Sequence, residues 1–359
     1  MFLTIAASLV LIQGGPYRTD TTVTVQSGTR LALSAMGGEV VLRAWDRNQV
    51  RIRASHSSNT TVEIRSSGAV LRLEATGRMG MPGRTDFELT VPAWMGTDFD
   101  GMNFDLDVEG VTGGIKASTL NGDLLARGGA DVSFNTMNGQ IRVDGSRGRV
   151  SVSAVSGRIE ITGASGDVDA ETVSGNVGLY RIESSRVNAS SLSGQVIYQG
   201  AIRDNGSYTF GSHSGTVTLA IPSNANATVN TSTMSGGMSA SFSLPAMDQR
   251  SRGRTTVRFG NGSASIEVES FSGNIRLVRP EEAPTLPERR RSNRSSQRDE
   301  HDWHFGDGLA GEVLRGFEWE GLGDLIDASV SAGLSGLSAW SFDFDRPVPP
   351  IPPTIRWEW

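Results

Sequence analysis

Three acidic side chains, Glu160, Asp169 and Glu171, stand close together in the chain with Arg142 and Arg158 beside them. Two carboxylates at a controlled separation, with surroundings that drive their pKa values apart, are the machinery of glycan cleavage. Charges at outward strand positions also serve a plainer purpose: they keep a sheet soluble and block edge-to-edge association. The plainer reading is adopted, so no catalytic residue is expected, and a polysaccharide-active β-helix enzyme is the alternative. A calcium array would need an aspartate at one fixed place in successive turns, supplying oxygen ligands. Asp131, Asp144, Asp167 and Asp169 fall at different places. Gly211-Ser-His-Ser-Gly215 has His213 where a nucleophile elbow requires serine, which leaves Ser212 and Ser214 as turn residues. His301 and His304 stand three apart in a charged stretch and read as solvated rather than as zinc ligands. No cofactor and no metal site is expected.

The elements that carry these residues follow a nine-residue beat from about residue 105 to Gly194, x-Φ-x-Φ-x-x-Φ-[Ser/Asn/Thr]-Gly, where Φ is apolar. Asp131-Val-Ser-Phe-Asn-Thr-Met-Asn-Gly139 and Arg149-Val-Ser-Val-Ser-Ala-Val-Ser-Gly157 show it in full. Alternation at the second and fourth places is the period of a strand with one buried face. The closing Gly reads as a turn residue free to adopt φ > 0, at Gly122, Gly139, Gly157, Gly175, Gly194, Gly215, Gly236 and Gly273. Two beats make a coil of about 18 residues, and stacked coils place Val132, Ile141, Val150, Ile159, Val168 and Val177 in an internal ladder. A second internal set is Phe134, Val143, Val152, Ile161, Ala170 and Leu179. One coil buries too few apolar side chains to offset the ordering of its backbone, so stacking supplies the rest and both ends need covers. The predicted fold is all-β: a single-stranded β-helix or β-solenoid, plus a short C-terminal helical tail.

The 359 residues include no cysteine, which excludes disulfides, thiolate zinc sites and cysteine nucleophiles. A formal net charge of -6 offers no basic field, so nucleic acid is not an expected partner. Residues 1–15 carry an apolar run of signal-peptide length, too short for a comfortable membrane span. Residues 20–104 read as an N-terminal strand section or cap, with strands near 22–25, 30–33, 39–43, 50–53, 62–64, 70–74 and 87–91. Pro92 suits an exit or edge position. Residues 105–279 form the repeat, with loops expected at 200–207 and 243–254. Residues 280–301, which include Arg289-Arg290-Arg291, read as a solvated charged linker. Residues 302–359 form an acidic tail with five of the seven tryptophans, and with Leu309, Val313, Phe317, Leu322, Leu325, Ile326, Val330, Leu334 and Leu337 at helical intervals. This tail is expected to cap a solenoid end or to contact a partner, including a membrane protein.

The Ser-Gly beat, taken with Gly38-Glu-Val-Val-Leu-Arg-Ala-Trp-Asp-Arg-Asn-Gln-Val-Arg-Ile-Arg-Ala54 and Leu89-Thr-Val-Pro-Ala-Trp94, resembles the bacterial putative-adhesin family of unknown function, the toast-rack domain. The resemblance covers roughly residues 22–277 and implies the solenoid fold, export or envelope attachment, and a link of some members to envelope-stress systems. It brings no catalytic residues, and the tryptophan-rich tail lies outside its pattern. The expected function is a non-enzymatic binding or scaffolding surface in the periplasm or on the cell surface, for an envelope protein or a glycan. Envelope-stress signalling is a further alternative.

Overall fold

The computed structural model describes residues 19–77, 82–245, 247–251 and 253–286. Residues 1–15, the greater part of the linker, and the tail 302–359 with its predicted helix lie outside these residues. The N-terminal section holds β1 (Thr19–Thr24), β2 (Arg30–Trp45), β3 (Gln49–His56), β4 (Thr60–Ser67), β5 (Val70–Gly77), β6 (Thr85–Pro92) and β7 (Thr97–Glu109). The regular coils follow as pairs, each a longer strand and a shorter one. They are β8 (Ile115–Asn121) with β9 (Leu124–Arg127), β10 (Val132–Asn138) with β11 (Ile141–Asp144), and β12 (Val150–Ser156) with β13 (Ile159–Thr162). Then come β14 (Val168–Ser174) with β15 (Val177–Ile182), β16 (Arg186–Ser191) with β17 (Val196–Gly200), and β18 (Ser207–Ser212) with β19 (Val217–Ala220). The chain ends with β20 (Ala227–Thr233), β21 (Met238–Ala240), β22 (Met247–Ser251), β23 (Arg254–Phe259), β24 (Ala264–Ser270) and β25 (Ile275–Val278).

Like strands stack in parallel and in register, giving a long-strand column and a short-strand column. Val132, Val150 and Val168 are partners in the first column. Ile141, Ile159 and Val177 are partners in the second. All six are at most 2% exposed, and they share one continuous core with Phe134, Val143, Ile161 and Leu179. Period-2 alternation produces this directly, because each strand turns every second side chain inward.

The corner between the two columns is where glycine is indispensable, and the reason is not turn conformation. Of the eight corner glycines, Gly122 alone has a positive φ (149°). In the other seven a Cβ would sit 1.7–1.9 Å from the carbonyl oxygen of the glycine in the adjoining coil. Backbone lies directly on backbone, with no flexible atom able to yield.

At the amino-terminal end, β2 is one strand where two were expected. It turns the corner at Gly37 and Gly38 and pairs with β7 along both halves. Its first half is covered by β5 and then the antiparallel β4. Its second half is covered by β6, then the antiparallel β3, then β1. So β6 is an interior strand rather than an edge, and Pro92, lacking an N–H, is its last residue.

The other end departs from sequential stacking. β24 pairs with β18 on one side and β20 on the other, and β25 lies likewise between β19 and β21. The last coil in sequence is therefore the penultimate one in space. The antiparallel β23 and β22 then close the long-strand column over β20. β22 falls within 243–254, where a loop was expected. Residues 280–286, assigned to the solvated linker, are also part of the folded structure. Pro280–Glu282 form a 3-10 turn, Gln199 Nε2 donates to the Pro280 carbonyl at 2.9 Å, and Leu286 packs on Tyr180 and Ile197.

Two glycine substitutions separate the two roles glycine plays. Gly157→Ala puts a Cβ 1.8 Å from the Gly139 carbonyl oxygen and is expected to destabilise by about 3 kcal/mol or more, as overpacking against rigid backbone does. Gly145 has φ 77° and open space around its missing Cβ, so Gly145→Ala should cost only the left-handed strain, about 1–2 kcal/mol. Urea unfolding of the two variants checks this; equal losses would refute the backbone-contact account.

Candidate binding surface

Two side-chain rows run outside the glycine corner, one rung per coil. The first comes from the seventh place of the beat, which the sequence pattern groups with the apolar core positions. Register sets Met36 beside Met102, then Leu120, Met137, Val155 and Val173. Leu192, His213, Phe271 and Met234 continue it through the reordered coils. Leu120, Met137, Val155, Val173 and Leu192 are only partly buried and separate from the main core. Met234 is 49% exposed. His213 stacks flat on Phe271, with ring centroids 4.6 Å apart and an interplanar angle of 5°. It serves as an aromatic rung, while Ser212 donates to the Gly194 carbonyl at 2.9 Å.

The second row comes from the eighth place and is polar and exposed: Asn103, Asn121, Asn138, Ser156, Ser174, Ser193, Ser214, Ser272 and Ser235. Its first three members form an amide ladder. Asn121 Nδ2 donates to Asn103 Oδ1 at 2.8 Å, and Asn138 Nδ2 to Asn121 Oδ1 at 3.1 Å. Neither row was marked as a site in the sequence, although the repeated [Ser/Asn/Thr] before glycine is its visible trace.

The candidate catalytic acids do not converge. Glu160 lies on β13 in the short-strand column, where Arg142 holds it at 3.2 Å. Asp169 and Glu171 lie on β14 in the long-strand column, and the Asn188 amide approaches them at 2.9 and 3.5 Å. Besides Asp169, two more of the aspartates weighed for calcium have structural partners. Asp131 accepts the Arg149 backbone N–H at 2.8 Å, and Asp167 is paired with Arg186 at 2.8 Å. Asp105 and Asp123 do the same for the backbone N–H groups of Asp123 and Gln140, both at 2.8 Å. Among the described residues no group of three His, Asp or Glu side chains could hold a metal ion. His301 and His304 lie outside them.

The perturbed groups are few. Tyr180 is pushed above the usual phenol range by burial, and its hydroxyl accepts the Leu286 backbone N–H at 2.9 Å. Asp20 is lowered, chiefly by its hydrogen bond from Arg51. Glu269 is raised, first by loss of hydration where β24 is flanked on both sides by strands, then by the neighbouring Glu267 charge.

The stacked parallel coils, with their rows of repeated side chains, define the fold class as a β-solenoid. The chain belongs to the toastrack DUF4097 family, whose model matches residues 16–278. Among curated proteins nothing matches it. Similar solved structures include a putative adhesin from Bacteroides fragilis, at 13% identity and TM-score 0.33, covering 73% of this chain and 98% of that one. A putative adhesin from Parabacteroides merdae shows 9% identity and TM-score 0.35, covering 73% and 96%. A putative lipid binding protein from Parabacteroides distasonis shows 10% identity and TM-score 0.36, with the same coverage. No helix among the described residues is long and apolar enough to cross a membrane.

The raised Glu269 pKa has a testable sign. The folded chain keeps a proton that the unfolded chain releases, so stability falls as pH rises from the unfolded value through the folded one, then levels off. Glu269→Gln should stabilise at neutral pH and have no effect near pH 3, about a unit below the ordinary glutamate pKa. Urea midpoints at the two pH values check this; an equal gain at both would rule it out.

Proposed function

We propose that the chain is a non-enzymatic, exported envelope protein whose solenoid presents a binding or scaffolding surface for a glycan or a protein. The observation that carries this reading is the row of exposed Asn and Ser side chains at the glycine corner. Its rungs follow the strand spacing of about 4.8 Å. Each amide or hydroxyl both donates and accepts, so the row suits an extended ligand with its own repeating polar groups. Many weak contacts along such a row add up without any single residue dominating. The scattered acids support the non-enzymatic half of the proposal. Glu160 sits on a different strand column from Asp169 and Glu171 and is held by Arg142, whereas acid-base pairs need two carboxylates in unlike surroundings facing one bond.

The test is retention of the purified chain on immobilised envelope polysaccharides and envelope proteins. The triple change Asn103→Ala, Asn121→Ala and Asn138→Ala should weaken retention about tenfold or more, at about 0.5–1.5 kcal/mol per lost hydrogen bond, with thermal unfolding little changed. Glycan turnover abolished by altering Glu160, Asp169 or Glu171 singly would overturn the non-enzymatic reading. Fractionation of cells should place the chain outside the cytoplasm.

A further inference from the structure

We propose that the turn of Asp46, Arg47 and Asn48, with the Trp45 and Trp94 indoles that frame it, binds one neutral β-linked hexopyranose unit of a glycan. This rests on the binding role proposed above and narrows its ligand to a glycan. The turn joins β2 to β3 at the corner marked by Gly110, opposite the glycine corner. Asp46, Arg47 and Asn48 are exposed, and both indoles are partly buried.

The turn is held in place before any ligand arrives, which removes part of the ordering cost of binding. Trp45 Nε1 donates to the Gln49 carbonyl at 2.7 Å, and Trp94 Nε1 to Asn48 Oδ1 at 3.1 Å. The Ala93 N–H donates to the Trp45 carbonyl at 3.1 Å, and the Val25 N–H to the Asn48 carbonyl at 3.0 Å. With its N–H used internally, Trp45 has only its apolar ring to offer outward. An indole N–H only donates, so Asn48 turns its oxygen to Trp94 and keeps its amide NH2 as a donor. Asp46 adds an acceptor and Arg47 a donor fork. Acceptor, donors and aromatic ring together match a sugar, whose C–H face lies on a ring while its hydroxyls donate and accept around the rim.

The surroundings of Trp45 favour a sugar over a protein. Trp94 packs against the main core and Trp45 does not. Two places along β2 from Arg43, Trp45 shares its outer face, and Arg43 is bound there to Asp107 and Glu109 at 3.1 and 3.3 Å. A protein hot spot needs a dry, well-packed surround, whereas one aromatic ring bordered by hydrogen-bonding groups fits one sugar unit. The Arg47 guanidinium lies over the Trp45 ring, 5.3 Å from its centroid, and makes no ion pair among the described residues. A single exposed cation–π contact is weak, so an arriving pyranose moves the guanidinium to the rim of the ring, where it donates to sugar hydroxyls. Equatorial hydroxyls leave the ring faces of a gluco-configured pyranose as C–H surface, the shape that an indole takes.

The chain has seven tryptophans, so the full-length protein grown on fluorotryptophan gives a fluorine NMR spectrum simple enough to assign, with Trp45→Phe and Trp94→Phe identifying the two signals of the site. Titration with chitohexaose or cellohexaose should move the Trp45 signal. Arg47→Ala and Asp46→Ala, both at exposed positions, should each weaken that response about threefold to tenfold with melting unchanged. The triple asparagine variant should leave it intact. A Trp45 signal that stays still with both oligosaccharides overturns the proposal, as does a response undiminished by both substitutions. Where polysaccharide retention depends on the asparagine row while the Trp45 signal stays still, the general binding reading stands and this site falls. A signal that moves with an envelope protein and not with the sugars assigns the ring to a protein partner and likewise overturns it.

Discussion

Everything in this molecule depends on two peptide planes meeting without a side chain between them. Hydrogen bonding along the columns fixes the coil spacing at about 4.8 Å, and the corner must close within that spacing. The Gly139, Gly157, Gly175 and Gly194 stack does so by leaving no Cβ in the contact. In two of the later coils the residue three places before the glycine adds a hydrogen bond at the corner. Ser191 and Ser212 donate to the Gly175 and Gly194 carbonyls at 2.8 and 2.9 Å, so these two oxygens, turned out of the ladder, find partners. A corner held this tightly carries the two residues before it to the outside in every coil, and the apolar and polar rows are its direct consequence. The opposite corner obeys a different rule. Gly110, Gly128, Gly145 and Gly163 occupy left-handed backbone there, and Arg181 takes the same place at φ 50°. A side chain is strained at that corner, whereas at the first it has nowhere to go.

Stacked equivalent coils also explain the reordering at the carboxyl end. Any coil with apolar residues at the second and fourth places fits against any other, so pairing alone does not dictate that neighbours in sequence be neighbours in space. Laying β20 and β21 one step further out and then inserting β24 and β25 puts the final coil in an interior slot. Both its strands gain partners on two sides, and the outermost place passes to the short hairpin of β22 and β23 in the long-strand column and to the three-residue β21 in the short-strand one. An open parallel edge invites pairing with another chain, so the arrangement protects the end. It also means that this end cannot form by simple addition of coils in order, because the last coil needs both neighbours present.

The strands and the internal ladders were legible in the sequence because burial imposes period 2 on every coil, and Val150 and Ile159 occupy the interior positions that this period assigns. The seventh place was misleading. It is apolar in most coils, so the pattern groups it with the core, yet Met137, Val155 and Val173 lie outside the corner. No spacing rule distinguishes an inward from an outward apolar residue once a strand has reached a corner. The coil order was illegible for the reason just given. The hairpin strand β22 was read as loop because Met247–Ser251 carries only one apolar residue and lacks alternation.

A regular ladder is poor ground for catalysis and good ground for recognition, for one reason. Each rung repeats its neighbour's surroundings, so two carboxylates on such a face are pushed in the same direction, whereas acid-base work needs them pushed apart. One cluster of opposite charges on this solenoid shows how they neutralise one another. Asp107 pairs with Arg43 at 3.1 Å and with Arg127 at 2.8 Å, and Glu109 pairs with the same two arginines at 3.3 and 3.7 Å. Arg43, Arg127 and Glu109 are about half exposed, and Asp107 is 18% exposed, so the pairs reach solvent and contribute little stability; their effect is to balance charge locally. Repetition that removes chemical singularity multiplies identical contacts instead. On the proposed reading, the polar row at the corner is the surface on which weak, repeated hydrogen bonds accumulate into binding.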